Sequence, residues 1–443
     1  MSLFTTLNVG ASGLGVASTS LGVAGDNIAN VNSTGFKETR ATFADFLPQD
    51  VFGLAKNGQM GTGAAPNYVS TLFGQGILEA TDSSLDMAIT GAGFFVVNDG
   101  PDSYYTRNGE FYLDNEGFIV SASGLRLQGH NADNGTLSAA IDDLRVNNAT
   151  LPGVATSTIT LEAQLSADTV AGADLAVLDF FGTGAGTNTL IEAGDAADFS
   201  TSTTVYDSLG LGHEVTILFE RVNNTDWTWR SLVDATEAFD PAGVAFSATA
   251  GDAFEIATGT VTFDTAGELT AFTQTDTAGW TFQAAAPPAV VFDFGIDIAG
   301  VATDGALIMG GSESSVSAIG QDGRSTGNLS SVAIGDNGIL IASYTNGEDL
   351  TIGQVLLATF KSESGLIRAG GTLFEKSIAS GEPAVDVAGT DGRGDIVGNA
   401  LEKSNVDLED QFINMITAQR SYQASAKVVT TADESLQALL NMV

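Results

Sequence analysis

Apolar side chains recur every seven residues at both ends of this 443-residue chain, and this repeat constrains the fold more than any other feature. A sevenfold apolar repeat places its members on one face of an α-helix. In residues 1–31 the main row is Leu7, Leu14, Leu21 and Ile28, and the second row is Leu3, Gly10, Ala17, Ala24 and Val31. At the C-terminus the main row is Leu408, Met415, Tyr422, Val429, Leu436 and Val443, with Ala418, Ala432 and Leu439 beside it. Both ends are therefore predicted to be helices, the second with Asn405 or Asp407 as its cap.

Two such stripes at opposite ends imply that the termini meet, because each supplies the apolar partner that the other lacks. We predict a coiled-coil stalk formed by the N- and C-terminal helices. The N-terminal stripe also contains five glycines, each of which destabilises a helix interior by about 0.5–1 kcal/mol relative to alanine. These are Gly10, Gly13, Gly15, Gly22 and Gly25. A buried helix pair within a monomer is one interpretation, and dense packing against neighbouring copies, with folding coupled to association, is the interpretation that we favour.

The residues between the stripes have the pattern of β structure. Short runs rich in Val, Ile, Thr, Phe and Trp, such as VTILFE at residues 215–220, alternate with Gly, Asn and Asp turn signals. The dipeptides Asn108-Gly109, Asn337-Gly338 and Asn346-Gly347 are typical of hairpin turns. The predicted fold class is therefore mainly β with terminal α-helices, in two or more β-rich domains.

The charge of the chain limits its partners. Its 54 acidic and 16 basic residues give a formal net charge of -38, which argues against nucleic acid and anionic membranes as partners. Residues 141–320 hold 25 acidic residues and only Arg145, Arg221 and Arg230 as basic ones, a net charge of 3 - 25 = -22. This acidic segment is predicted to be the most solvent-exposed part of the protein. No stretch has the 18 or so consecutive apolar residues that a membrane span needs, and the N-terminus lacks the pattern of a secretory signal peptide.

The sequence offers little for catalysis or cofactor binding. None of the six lysines follows a glycine, so a phosphate-binding loop of the Walker type is excluded. The chain has two histidines and no cysteine, which leaves few residues for a metal site or a nucleophilic triad. We predict no catalytic, cofactor-binding or metal-binding residue, and a protein that is not an enzyme.

Two segments resemble the signatures of bacterial flagellar rod and hook proteins. The segment DNIANVNSTGFK at residues 26–37 is similar to the N-terminal signature of that family, and residues 401–443 are similar to its C-terminal signature. The matching residues are Asn27, Asn30, Asn32, Gly35, Phe36, Lys37, Leu401, Ser404, Asn405, Gln419, Arg420 and Tyr422. Residues 204–229 and 321–360 resemble the hook branch of the family rather than its shorter rod relatives.

The resemblance implies a structural subunit that polymerises into a curved, flexible tube and transmits motor torque to the filament as a universal joint. It implies export through the flagellar type III apparatus without a cleaved signal peptide, and location in the hook and basal body. The implied partners are other copies of the chain in a helical homopolymer, distal rod subunits, the hook cap protein and the hook-filament junction proteins.

The resemblance also implies an arrangement of domains inserted one within another. The expected segments are a stalk helix at 1–31, a linker at 32–76, an inner β domain at 77–150 and 317–385, an outer acidic β domain at 151–316, and a linker with the second stalk helix at 386–443. The alternatives are a distal-rod subunit or, from a different class, a secreted calcium- or glycan-binding β protein. The second alternative would use the acidic surface but gives no reason for paired terminal heptads.

Overall fold

The computed structural model describes residues 3–47, 49–50, 59–100, 102–133, 135–146, 150–172, 174–182, 186, 188–240, 245–246, 248–282, 290–295, 303 and 305–440. Its α-helices are α1 (Leu3–Ala29), α2 (Leu190–Ala196) and α3 (Leu408–Leu440), and short 3-10 helices span Leu175–Val177, Asp336–Gly338 and Glu363–Gly365.

The strands of the first part of the chain are β1 (Thr39–Asp45), β2 (Gln49–Asp50), β3 (Gln59–Met60), β4 (Ala64–Thr71), β5 (Leu78–Ala80), β6 (Met87–Thr90), β7 (Phe94–Asp99), β8 (Asp102–Thr106), β9 (Phe111–Leu113), β10 (Ile119–Ser121), β11 (Arg126–Asp133), β12 (Thr136–Leu137) and β13 (Asp142–Asp143). The middle strands are β14 (Thr158–Leu165), β15 (Phe199–Tyr206), β16 (Gly212–Arg221), β17 (Asp226–Asp234), β18 (Ala238–Phe239), β19 (Ala253–Phe263), β20 (Leu269–Phe272), β21 (Thr275–Asp276), β22 (Thr281–Phe282), β23 (Val291–Asp293), β24 (Ala306–Met309) and β25 (Ser315–Gln321). The last strands are β26 (Leu329–Ile334), β27 (Ile339–Tyr344), β28 (Asp349–Thr359), β29 (Ile367–Gly370), β30 (Leu373–Glu375), β31 (Ala384–Val387), β32 (Asp395–Gly398) and β33 (Ala400–Glu402).

The first of two compact units comprises Met1–Asn148, Ser330–Ser343 and Asp349–Val443. It contains α1, α3, the antiparallel hairpin of β1 and β4, and a sheet in the order β26-β27-β28-β11-β7-β8-β30-β29. Strand β7 lies inside this sheet, and its apolar run Phe94 to Val97 is buried, as expected for a central strand. The returning strands β32 and β33 pair with β6 and β5, so the two ends of the unit are held side by side.

The second unit comprises Ala149–Leu329 and Tyr344–Glu348 and is inserted in the chain of the first. One of its sheets has the order β15-β16-β17-β19-β20, and another has the order β23-β14-β24 with β25 also paired to β14. Strand β14 alternates strictly between half-buried and buried residues, as a strand with one core-facing side should. The core is aromatic, and its centre includes Trp227, Trp229, Phe219 and Phe294.

The prediction of a mainly β fold with packed terminal helices and inserted β domains is confirmed. One element of the middle region was not predicted. Helix α2 begins with a capping box, in which Thr189 and Glu192 bond to each other's backbone N–H groups. The helix is part of the second unit, and its Ala193 is buried in a cluster with Leu175 and Phe180.

Candidate assembly site

The two terminal helices pack in antiparallel directions, so the start of α1 lies against the end of α3. Gly10 faces Val429, whereas Asn27, near the end of α1, donates a hydrogen bond to Gln411 near the start of α3. The buried apolar side chains along the interface are small, namely Ala17 and Ala24 on α1 and Ala418 and Ala432 on α3. We call this line of small residues the helix seam.

Two glycines allow the helices to approach closely at one end of the helix seam. A β-carbon on Gly10 would stand 2.8 Å from Val429 Cγ2, and one on Gly13 would stand 2.6 Å from Ser425 Oγ. Both distances are well inside the optimal separation of non-bonded atoms, about 3.5–4.0 Å. The absence of a side chain at these positions is therefore required by the packing of α3.

Apart from Val429, which packs against Gly10, the main rows of the heptad repeat lie beside the helix seam. The half-buried members are Leu7, Leu14, Leu21, Ile28, Met415, Val429 and Leu436. Leu408 and Tyr422 are 39% and 43% exposed. Small side chains in the second row bring the helix axes together, and this leaves the larger side chains at the margins. The side chains of Leu3 and Leu439, and the whole of Val443, lie outside the described residues.

A further row of small residues on α1, distinct from both heptad rows, faces away from α3. It consists of Ala11, Gly15, Ser18, Gly22, Gly25 and Ala29, which are all exposed and recur at alternating spacings of four and three. A β-carbon on Gly15, Gly22 or Gly25 would have no heavy atom within 4 Å. We call this the outer row of α1. Helix α3 likewise exposes apolar side chains, with Ile413 60% and Ile416 48% exposed.

The signature residues meet where the two helices join the β structure. Asn27 is buried, and its side-chain amide donates to the carbonyl oxygen of Thr39 at 2.8 Å and to Gln411 Oε1 at 3.1 Å. The side-chain oxygen of Asn27, Oδ1, accepts from the backbone N–H of Thr39 at 2.9 Å. Gln411 in turn donates to Glu38 Oε1 at 2.9 Å. Asn27 therefore connects α1, the strand that follows it, and α3.

A buried ion cluster lies beside this connection. Lys37 Nζ stands 2.6 Å from Glu402 Oε1, and neither side chain is exposed to solvent. Glu402 Oε1 also accepts from the N–H of Gly76 at 2.7 Å, and Arg107 Nη1 lies 3.5 Å from the other carboxylate oxygen. Burial lowers the pKa of the Lys37 ammonium below the usual lysine value, and the charge of Glu402 opposes this shift. The cluster ties four separate segments of the first unit together.

Asn405 completes the junction. Its Oδ1 accepts from the N–H of Glu38 at 2.7 Å, and its Nδ2 donates to the carbonyl oxygens of Leu72 and Gly74 at 3.0 and 3.1 Å. The side chain thus reinforces the pairing of these two segments, in which the N–H of Leu72 also donates to the carbonyl oxygen of Glu38 at 2.8 Å. The cap of α3 is the next acidic residue, Asp407, whose Oδ1 accepts from the N–H of Glu409 at 2.8 Å.

Gly35 and Phe36 shape the turn that follows α1. Gly35 has a φ of +69°, and a β-carbon there would lie 2.5 Å from the backbone nitrogen of Asn108. Glycine is thus required both by conformation and by space. Phe36 is buried, and the guanidinium carbon of Arg368 lies 5.3 Å from its ring centre.

The remaining signature residues have local or exposed positions. Asn30 donates to the carbonyl oxygen of Asp26 at 2.8 Å, within its own turn of the chain. Leu401 lies in β33 opposite Glu79, and Ser404 Oγ accepts from the N–H of Val406. The exposed members are Asn32, Gln419, Arg420 and Tyr422.

Sequence reasoning missed Glu402, Arg107, Gln411 and Thr39. Glu402 lies inside the C-terminal signature, between Leu401 and Lys403. A carboxylate inside a family signature is a signal that could have pointed to a buried ion pair. Arg107 carries no local signal, because its partner is 295 residues away in the sequence. Within the described ranges, no helix is long and apolar enough to cross a membrane. No group of three or more His, Cys, Asp or Glu residues among the described positions is arranged to hold a metal ion.

Four family models match successive parts of the chain. They are described as flagella basal body rod protein (residues 7–37), flagellar hook protein FlgE/F/G D1 domain (88–170), flagellar basal body protein FlaE D2 domain (183–324) and flagellar basal body rod FlgEFG protein C-terminal (397–442). The first and last of these cover the two helices and their junction. The fold and this junction thus define an axial protein of the flagellar rod and hook class.

Relatives over the whole length narrow the class to one family. The chain is 31% identical to the flagellar hook protein FlgE of Treponema pallidum, over 99% of this chain and 100% of that protein. It is 30% identical to the flagellar hook protein FlgE of Escherichia coli, over 97% and 98% of the two chains. The crystal structure of Helicobacter pylori flagellar hook protein FlgE2 shares the fold, with a TM-score of 0.50, 14% identity and coverage of 73% of this chain and 100% of that one. The chain belongs to the flagellar hook protein family.

Proposed function

We propose that this chain is a structural subunit of the bacterial flagellar hook, which polymerises into a curved, flexible tube and transmits motor torque to the filament as a universal joint. The observation that carries the proposal is the outer row of α1. The helix seam already provides α1 with its intramolecular partner, yet a second face of small residues remains exposed from Ala11 to Ala29. Such a face admits the helices of neighbouring copies at close range.

The stalk helices form the inner, closely packed layer of this tube. The described apolar side chains exposed on α3, including Phe412, Ile413 and Ile416, add apolar surface for the same contacts. Their burial stabilises the polymer by about 25 cal/mol per Å². A helical tube needs heterologous interfaces that do not close into a ring.

The β domains form the outer layers. We assign the β structure of the first unit to the inner β domain, and the second unit, Ala149–Leu329 with Tyr344–Glu348, to the outer acidic domain. Strand β25 pairs with β14 of the second unit and so lies outside the inner domain, although the sequence placed residues 317–385 there. We assign residues 32–76 to the linker that follows α1. The net charge of -22 over residues 141–320 makes neighbouring copies repel each other there. Contacts between outer domains are therefore weak, and weak contacts can rearrange as the tube bends.

The proposal includes a location and partners. The subunit is exported through the flagellar type III apparatus without a cleaved signal peptide, and it assembles in the hook of the basal body. It joins distal rod subunits at one end and hook-filament junction proteins at the other, beneath the hook cap protein during growth. The role is structural and not enzymatic, and it involves no nucleic acid.

The experiment replaces one glycine of the outer row. In Gly22→Leu the new side chain enters open space in the monomer, so the chain should fold as before, but the polymer should not form. Gly194→Leu is the matched control, because Gly194 is also a helical glycine with open space around it, in α2 of the second unit. Polymer is measured by sedimentation and electron microscopy, and monomer folding by circular dichroism.

Normal polymer from Gly22→Leu would show that the outer row is not an assembly surface. Failure of the unsubstituted chain to polymerise would contradict the function itself. Straight, rigid tubes instead of curved ones would identify a distal-rod subunit.

A further inference from the structure

Ile378 is the most exposed apolar side chain among the described residues, at 104% of the reference exposure. It lies in the segment 377–381, between β30 and β31 of the first unit. An isoleucine in water gains about 1.5–3 kcal/mol when it is fully buried. Single exposed apolar residues are common on protein surfaces, so the exposure of Ile378 gains meaning only from the structure that holds it.

The segment is held rigidly by its own serines. The N–H of Ser377 donates to Ser380 Oγ at 2.9 Å, and Ser377 Oγ accepts from the N–H groups of Ala379 and Ser380 at 3.0 and 3.2 Å. The Ser380 hydroxyl donates to the carbonyl oxygen of Ser377 at 2.9 Å, and Ser380 is fully buried. We call residues 377–381 the serine turn, and Ile378 stands at its tip.

The serine turn is also fixed to the 3-10 helix Glu363–Gly365, which precedes β29. Ser377 Oγ donates to the carbonyl oxygen of Gly365 at 2.5 Å. A β-carbon on Gly365 would lie 2.4 Å from the backbone nitrogen of Ser380, so the two segments are in direct contact. Two residues after Gly365 begins β29, the edge strand of the sheet, whose four residues are all exposed and whose first residue, Ile367, is 55% exposed. An edge strand leaves backbone N–H and C=O groups without a partner strand, and β29 is only four residues long, so side chains such as Ile367 provide most of the apolar surface there.

The charge around the serine turn favours contact with another copy of this chain. Residues 361–382 contain the basic residues Lys361, Arg368 and Lys376 and the acidic residues Glu363, Glu375 and Glu382. The segment is therefore neutral in a chain of net charge -38. Lys376 and Glu382 pair at 2.7 Å across the turn. Copies of a strongly acidic chain repel each other, and this repulsion is weaker at a segment without net charge.

We infer that Ile378, held at the tip of the serine turn, is an assembly contact that inserts into the surface of a neighbouring copy of this chain. The inference rests on the proposed polymer and adds to it a specific contact outside the stalk helices. The rigid turn places the isoleucine before association, so little conformational entropy is lost when the contact forms. Ile367 and the β29 edge form the rest of the contact face.

The test uses the absence of cysteine from the chain, which makes Ile378→Cys the sole thiol. The thiol should react rapidly with maleimide in the monomer and at least about tenfold more slowly in sedimented polymer. Val170→Cys is the matched control, because Val170 is also a highly exposed apolar residue, at 84%, in the second unit. A photo-crosslinker on residue 378 should join two copies of the chain in the polymer only.

Substitutions then measure the strength of the contact. Ile378→Ser should raise the critical concentration for polymerisation about ten- to one-hundredfold, the equivalent of losing one buried isoleucine. Ile378→Val should restore most of it, and Ser377→Ala, which keeps the isoleucine but loosens the turn, should have an intermediate effect. Circular dichroism of the Ile378→Ser and Ile378→Val monomers should be unchanged, since Ile378 is fully exposed and contributes nothing to the core.

The outcomes separate the inference from the proposed function. Polymer in which residue 378 reacts as fast as in the monomer, or an Ile378→Ser chain that polymerises normally, would overturn the inference alone. A chain that forms no polymer, with Ile378 intact, would overturn the proposed function and this inference with it.

Discussion

Lys37 and Glu402 are separated by 365 residues in the sequence and form an ion pair of 2.6 Å from which water is excluded. Lys37 closes the turn after α1, and Glu402 ends the last strand before α3. The pair therefore fixes both stalk helices to the same point of the first unit. Torque that enters through the helices would reach the β structure through this junction.

Removal of the carboxylate should be strongly destabilising. In Glu402→Ala two buried cations lose their counter-charge, and breaking a buried pair in this way costs about 3–5 kcal/mol. The unfolding midpoint of the first unit should shift to a lower urea concentration. Circular dichroism at 222 nm measures this unfolding. Tryptophan fluorescence should not shift, because all three tryptophans, Trp227, Trp229 and Trp280, lie in the second unit.

The matched control for Glu402 is Glu79. Its pair with Lys403 is short, at 2.8 Å, but the two side chains are 60% and 45% exposed. Glu79→Ala should cost less than about 1 kcal/mol. Equal effects of the two substitutions would contradict a special role for the buried pair.

Two glycines of α1 should respond in opposite ways to the same substitution. Gly10→Leu should destabilise the helix pair by about 1–3 kcal/mol, because its β-carbon would meet Val429 at 2.8 Å. Gly25→Leu should stabilise the monomer by about 0.5–1 kcal/mol, since it improves helix propensity in open space. Thermal unfolding of the helical signal measures both. Stabilisation by Gly10→Leu would contradict the close approach of α1 and α3.

The second unit should lose stability in acid partly through Asp322. Partial burial raises the pKa of this carboxyl group, but hydrogen bonds from the Ser157 hydroxyl and from the N–H groups of Ser157 and Thr158 outweigh it and lower the pKa below the usual value. A carboxylate with a lowered folded-state pKa stabilises the fold above its unfolded pKa, and the contribution is lost as the pH falls through the folded pKa. Stability should therefore fall between about pH 5 and pH 2.

Asp322→Asn should lower the free energy of unfolding of the second unit by about 1 kcal/mol at pH 7, and it should flatten the dependence of stability on pH in this range. Urea unfolding curves recorded by tryptophan fluorescence at each pH measure this free energy. Asp195→Asn, at an exposed position of α2, serves as the control and should leave the pH profile nearly unchanged. An unaltered profile for Asp322→Asn would show that other carboxylates account for the acid sensitivity.

Polymer stability should rise with salt. At low ionic strength the acidic outer domains repel each other, and the screening length falls from about 30 Å at 0.01 M to about 10 Å at 0.1 M salt. The triple variant Asp195→Asn, Glu214→Gln and Asp276→Asn removes three exposed charges and should polymerise at lower salt. A steady fall of polymer yield over this salt range would mean that salt bridges between outer domains dominate instead.

Particular residues show how far sequence reasoning reached into the site. Asp407 was one of two predicted caps of α3, and its carboxylate does cap the helix. Asn405, the other candidate, bonds instead to Glu38, Leu72 and Gly74. Asn and Asp are both common helix caps. The two residues differ only because the linker segments with Glu38, Leu72 and Gly74 lie beside Asn405 in the folded chain and bind its side chain.

The sequence by itself determined that this protein has helical ends, a β-rich middle and a strongly acidic segment, because periodicity, side-chain type and charge are properties of local sequence. It also determined that the ends meet, since neither apolar stripe is satisfied alone. Only the tertiary structure decided which heptad row forms the helix seam. Periodicity tells which residues share a face, but the distance between two helix axes depends on side-chain volumes from both helices at once. The same holds for Lys37, Glu402 and Arg107, whose burial depends on segments that meet only in the folded chain, and for Ile378, whose exposure is set by the hydrogen bonds of the turn beneath it.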